Sequence, residues 1–223
     1  MQDYDRIRSF ILSYYKDEEG LQGEIYRDAV SRGIPVIRPE MKELLRLLLL
    51  MHKPERILEI GTAVGFSAIF MAGCLPGAQI RSMELDPDRA EEARENIRKA
   101  GMEDRISVDT GDAAKLLHDL QDEHAEDAAP WDFVFIDAAK AQYGEYLTMI
   151  LPMVRVGTVI VSDNILQEGG ILESHFLVEK RDRTIHDRMR EYLRRLTDTP
   201  GLVTSILPVG DGAAVTLVEK KVI

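Results

Sequence analysis

The sequence predicts an α/β fold: a doubly wound, mainly parallel sheet with helices on both faces, closed by an antiparallel hairpin and preceded by an N-terminal helical cap. Three observations carry this expectation. From Arg56 onward, short apolar runs alternate with amphipathic, charge-rich segments, the rhythm of β-α units whose right-handed crossovers lay helices over a parallel sheet. Before Arg56 the apolar residues fall at helical spacing instead, as at Ile7, Phe10, Ile11 and Tyr14. At the other end, LVTSILPV and AAVTLVE flank Gly210-Asp211-Gly212, two strands joined by a short turn. We expect one domain over residues 1–223, with a helical cap at 1–53 and the sheet core at 54–223.

In order, the core reads as the strand RILEI, the helix FSAIFMAGCL, the strand QIRSMEL, the helix DPDRAEEARENIRKAG, the strand RISVDT and the helix DAAKLLHDL. Gln121–Pro130 is expected to be a surface loop. The strand DFVFID, the helical YGEYLTMILPMV and the strand TVIVSD follow, then LQEGGILESHFLVEKRDR, whose Gly169-Gly170 pair and length suggest a mobile loop. A basic helix near Asp187–Leu196 precedes the hairpin. A net charge of −11 argues against an extended nucleic-acid surface while leaving room for a small basic patch. The single cysteine, Cys74, reads as a small core hydrophobe in a reducing compartment. The charged N-terminus lacks the apolar run of a signal peptide, and the leucines of 44–50 are too few to cross a bilayer. The expected location is the cytoplasm, with no membrane partner.

The strand ILEI runs into Gly61-Thr62-Ala63-Val64-Gly65 and then a helix, so the backbone turns sharply where a ligand can approach a helix N-terminus. Alone, this spacing is a weak signal. Glu59, two residues before the first glycine, and Glu84, at the end of the second strand, sharpen it, because an acid at that second position can accept hydrogen bonds from both ribose hydroxyls. Asp112, after the third strand, either reaches an adenine amino group or caps the following helix, with Ala113 adding backbone contacts. A dinucleotide site is the rival. The G-x-G-x-x-G spacing that serves a pyrophosphate is absent, whereas S-adenosyl-L-methionine has an amino-acid tail that Glu59 can orient. The acid-x-Gly pattern and the acidic end of the second strand resemble class I methyltransferases, whose Rossmann-like seven-stranded sheet ends in an antiparallel hairpin. Thr62 and Ser67 are counted with the expected cofactor-binding residues.

Asp137 and Lys140 follow the fourth strand, and Asp163 and Asn164 the fifth. Ligands bind outside these carboxyl ends in a doubly wound sheet. If the two strands are neighbours, about 5 Å apart, Asp137, Asp163 and Asn164 can converge on one ion. Two carboxylates and an amide oxygen suit a hard cation such as Mg²⁺. The competing reading is that each aspartate only caps a loop. The ordered set IDAAK, Tyr143 and SDN resembles the catechol and caffeoyl-coenzyme A O-methyltransferases over residues 35–218. That resemblance implies metal ligation by Asp137, Asp163 and Asn164, with Asp137 and Lys140 beside the reacting oxygen and Glu84 on the ribose. Tyr143 either lines the substrate pocket or packs against the sheet, and Arg38 either touches substrate or pairs with Glu40.

A bound cation stabilises the deprotonated hydroxyl and orients an acceptor that offers two adjacent oxygens. Lys140 acts either as base or as electrostatic stabiliser. EIGTAVGFSAI, GIPVIRPEMKELLRLLL and RDRTIHDRMREYLRRLT with ILPVGDG resemble the bacterial branch that methylates 5-hydroxyuridine at the tRNA wobble position. That base offers its hydroxyl next to the C4 carbonyl. Lys180, Arg181, Arg183, Arg188, Arg190, Arg194 and Arg195 either contact phosphates or form a solvated face laced to Asp182, Asp187 and Glu191. A small catechol-like phenol or phenylpropanoid thioester is the alternative acceptor, and a non-catalytic RNA-binding protein of the same fold is the third reading. Relatives of this kind are commonly homodimers.

Overall fold

The computed structural model describes residues 2–124, 129–173 and 178–222. Helices α1 (Gln2–Leu12), α2 (Gly20–Ser31) and α3 (Pro39–His52) precede the core, which runs β1 (Arg56–Ile60), α4 (Phe66–Cys74), β2 (Gln79–Glu84), α5 (Pro87–Lys99), β3 (Ile106–Thr110), α6 (Ala113–His124), β4 (Trp131–Ile136), α7 (Tyr143–Ile150), β5 (Val154–Ser162), α8 (Arg183–Asp198), β6 (Leu202–Leu207) and β7 (Ala213–Val218). One seven-stranded sheet has the order β3-β2-β1-β4-β5-β7-β6. The first five strands are parallel, and β7 runs antiparallel to both β5 and β6. The hairpin therefore enters the sheet with its second strand innermost.

Both faces of the sheet are covered because successive side chains of a strand point to opposite sides. Ile57, Phe133 and Phe135 pack on one face with Met41, Leu45 and Leu49 of α3 and the apolar run of α4. Leu58, Ile60, Val134 and Ile136 pack on the other with Leu117 of α6, Leu147 and Ile150 of α7, and Met189, Tyr192 and Leu196 of α8. Fully burying one such aliphatic side chain contributes about 1.5–3 kcal/mol, so these two layers hold the frame that positions the strand ends.

Local signals set the helix boundaries. Asp86 accepts from the backbone N–H groups of Asp88 and Arg89, with Pro87 in the first turn of α5. Pro39 opens α3, and the residue before it, Arg38, is held extended at φ −68° and ψ 151°.

Two expectations change. The cap divides: α2 and α3 bury residues in the core, whereas Ile7 and Phe10 of α1 stay 57% and 63% exposed. Helical spacing reports that a helix has an apolar face, not what that face meets. Gln121–His124, expected in a loop, extends α6, and the Gln121 amide donates to Met149 O at 2.7 Å; residues 125–128 of that segment lie outside the described residues. No helix among the described residues is long and apolar enough to cross a membrane.

Candidate active site

The strand order reverses beside β1, which has β2 on one side and β4 on the other, and a crevice forms where the connections diverge. Register places the strand ends in a row, since Ile60 pairs with Ile136 and Ile136 with Ser162. The next residues continue it: Asp137 N donates to Ile60 O and Asp163 N to Ile136 O, each at 2.9 Å. Three loops thus leave the sheet at one level, around a cavity of about 860 Å³, within the range of small-molecule sites.

Thr62, Ser67, Glu84, Asp112 and Ala113 line this cavity, as do Arg38, Asp137, Lys140 and Asn164. The turn after β1 is compressed: Gly61 has φ 93°, and a Cβ there would collide with the Asp137 carbonyl. Only glycine fits that approach. Glu84 bridges two loops, accepting from Ala63 N at 2.8 Å and from Asp86 N at 3.0 Å. Each oxygen keeps a second lone pair, so the orientation of the carboxylate is fixed while its capacity for a diol is retained. Asp112 accepts from Lys115 N at 3.2 Å; it caps α6 and also faces the cavity.

Glu59 and Gly65 lie off the cavity wall. Gly65, at φ 85°, caps α4 and packs against Ala93. Glu59 is fully buried, accepts from the Ser82 hydroxyl, and leaves Oε1 without a hydrogen-bond partner. Burial pushes its carboxyl up to about 7, against the opposing pull of the Ser67, Ser82 and Thr62 hydroxyls. It supports the turn that holds Thr62 and Ser67 from beneath.

At the other end, Asp163 accepts from Asn164 N at 2.7 Å, and Asn164 takes φ 58°, which turns its amide onto Asp137 Oδ1 at 2.7 Å. Desolvation by burial raises the proton affinity of both Asp137 and Asp163. For Asp163 the neighbouring Asp137 charge adds to the rise, and for Asp137 the Asn164 amide and Lys140 oppose it. Two partly desolvated carboxylates with an amide oxygen form a donor set that a hard divalent cation neutralises. Among the described residues no three His, Cys, Asp or Glu side chains are grouped to hold an ion.

Tyr143 does not line the pocket. It is fully buried, its hydroxyl donating to Asp163 O at 3.1 Å and accepting from Ala138 N at 3.3 Å. The first turn of α7 points it beneath the strand ends, where it ties the loops after β4 and β5 together. Gln142 and Tyr146 line the cavity instead. Arg38 lines the cavity, and the Glu40 carboxylate pairs with Arg8 of α1. Asp211 is a residue that the sequence did not single out as functional: it is buried, lines the cavity and meets Lys140 at 3.4 Å.

Six of the seven residues of the basic cluster fall into two sets, Arg190 being half-buried. Arg183 donates to Val178 O, five residues before it, while Arg188 donates to Ala141 O and Arg195 to Gly144 O, so the last two fasten α8 to the region of α7. Lys180, Arg181 and Arg194 are exposed, with Arg181 ion-paired to Glu179 and Asp182. Of the segment expected to be mobile, residues 174–177 lie outside the described residues, while Gln167, Gly170, Glu173, Val178, Glu179 and Asp182 line the cavity.

The comparisons agree with this architecture. A family model described as O-methyltransferase matches residues 20–221. The chain is 38% identical over 146 residues to a catechol O-methyltransferase of Niastella koreensis, covering 64% of this chain and 65% of that protein's length. It is 36% identical over 198 residues to a catechol O-methyltransferase of Mycobacterium tuberculosis, covering 86% and 84%. The crystal structure of the Bacillus cereus O-methyltransferase in complex with SAH matches at a TM-score of 0.83 and 27% identity, over 96% of this chain and 97% of that one.

Proposed function

This chain belongs to the O-methyltransferase family, matched from residue 20 to residue 221, and on that premise we propose that it transfers the methyl group of S-adenosylmethionine to a hydroxyl that stands next to a second oxygen, the acceptor being 5-hydroxyuridine at the tRNA wobble position. The observation that carries the chemistry is the row of strand ends bringing Asp137 and Asn164 to one end of a cavity whose other end holds Glu84 and Asp112. Cofactor and acceptor then meet at Asp137 and Lys140.

S-adenosylmethionine supplies the methyl group on a sulfonium, and SAH is the leaving product. Glu84, fixed by two backbone N–H groups, holds the ribose, and Gly61, Thr62 and Ser67 let the rest of the cofactor lie close to the turn after β1. A hard divalent cation held by Asp137, Asp163 and Asn164 would supply Lewis-acid stabilisation of the deprotonated acceptor hydroxyl. Asp163 backs that set from behind the wall, held in place by Tyr143 and by Asn164 N. Lys140 presents a cation where negative charge develops on the acceptor oxygen, and the frame of strand ends keeps that oxygen in line.

The wobble reading is supported by the resemblance of the turn after β1, of residues 33–49 leading through α3, and of α8 with the following ILPVGDG to the 5-hydroxyuridine branch. The exposed Lys180, Arg181 and Arg194 could meet phosphates outside the cavity. A second reading, methylation of a small catechol, is favoured by the wall that Gln167, Glu173 and Val178 add to the cavity and by the two catechol O-methyltransferase relatives. Transfer of labelled methyl groups with Mg²⁺, with and without chelator, to tRNA carrying 5-hydroxyuridine and to catechol separates them. Chelator-sensitive labelling of tRNA is the expected result. Labelling of catechol alone selects the second reading, and labelling that ignores the chelator removes the cation from the mechanism.

A further inference from the structure

Asp211 occupies the middle of the β6–β7 turn, where an aspartate between two glycines is ordinary turn chemistry. Its surroundings are not those of a surface turn. It is 6% exposed, lines the cavity, and its Oδ2 lies 3.4 Å from Lys140 Nζ, while the Lys140 side chain is itself 32% exposed. A flexible ammonium is thus met at its tip by a buried carboxylate.

The turn has no slack. Leu166 N donates to Asp211 O at 2.8 Å and Ile165 N to Gly212 O at 3.1 Å, so the turn is bonded to the chain that directly follows Asp163 and Asn164. Gly212 takes φ 86°, and a Cβ there would run into the Leu166 side chain. A Cβ on Gly210 would come within ordinary van der Waals contact of the Arg38 side chain, 3.6 Å from its Cδ.

We propose that Asp211 is a positioning residue: its buried carboxylate, carried on a turn locked to the Asp163–Asn164 loop, holds the Lys140 ammonium at the place where the acceptor oxygen is methylated. The assignment of that place rests on the O-methyltransferase reading above; the holding of Lys140 by Asp211 does not. Lysine brings a point charge on a long, rotatable stem, so an anchor at its tip decides whether that charge is in place before the acceptor arrives. The glycines on either side of Asp211 are then what allow the turn to bring the carboxylate inward.

The test compares wild type with Asp211→Asn, which keeps the size and removes the charge. Lys140 acetylation by limiting acetic anhydride is measured by mass spectrometry, with the exposed Lys115 and Lys180 as internal references. Lys140 labelling rises severalfold in the variant, while the references and SAH affinity stay unchanged. In turnover of whichever acceptor the wild type methylates, kcat falls roughly 10–100-fold with little change in acceptor KM. In a Lys140→Met background the same substitution has less than about a twofold further effect, since the two residues act through one contact. Unchanged Lys140 labelling, or losses that multiply in the double variant, would overturn the proposal. Should the wild type methylate neither tRNA nor catechol, the functional reading fails, and the labelling still decides the role of Asp211.

Discussion

Replacing Glu59 with Gln tests whether the turn after β1 rests on a carboxyl that prefers its proton. Glu59 is fully buried beneath Thr62 and Ser67, with one oxygen taken by Ser82 and the other unpartnered. Its carboxyl rises from an ordinary 4.5 to about 7, chiefly by desolvation. In the unfolded chain it returns to the ordinary value. Between these two values the folded protein holds a proton that the unfolded chain has released, so stability is full below about 4.5 and falls as pH rises through 7. At about 1.36 kcal/mol per pK unit, the loss is on the order of 3 kcal/mol. Glutamine keeps the shape, accepts from Ser82 and does not titrate. The variant should therefore match wild type near pH 5 and exceed it by up to about 3 kcal/mol near pH 8. Urea unfolding at the two pH values, without cofactor or metal, measures this directly. Asp137 and Asp163 are present in both proteins, so the difference reads Glu59 together with its coupling to the Asp137 charge. An equal gap between the two proteins at both pH values would refute the reasoning.

Asp163→Ala should abolish cation-dependent transfer while SAH binding by calorimetry stays close to wild type, because Asp163 lies behind the cavity wall at the end away from Glu84; an equal loss of SAH affinity would end that division of labour. Glu84→Ala removes the acceptor of two backbone N–H groups and, on the proposed reading, of the ribose hydroxyls. Hydrogen bonds to a charged group contribute about 1.5–3 kcal/mol, so SAH binding should weaken by roughly 10–100-fold, with the cation dependence of the remaining activity unaltered.

Much of the site was readable because its residues follow strands directly. Asp137, Asp163 and Asn164 come one or two residues after apolar runs whose alternation fixes where each strand ends, and Glu84 closes the second strand. Asp211 was not readable in this way. Its neighbours Gly210 and Gly212 account for it fully as turn chemistry, and its partner Lys140 is 71 positions away. Tyr143 shows the opposite case, in which spacing placed it beside the site but not on a side of it. Only the direction of the first turn of α7 sends its hydroxyl under the strand ends and leaves Tyr146 facing the cavity.

By itself the sequence determined the α/β class, the parallel strands, the closing hairpin and the strand-end positions, because continuous apolar runs and helical apolar spacing are local consequences of burying two faces or one. The tertiary structure alone decided the insertion of β7 between β5 and β6, the depth of Glu59, the fastening of α8 by Arg188 and Arg195, and the meeting of Lys140 with Asp211. Each depends on which distant elements share a boundary, and burial and pairing across such boundaries are set by packing the whole chain rather than by any one segment.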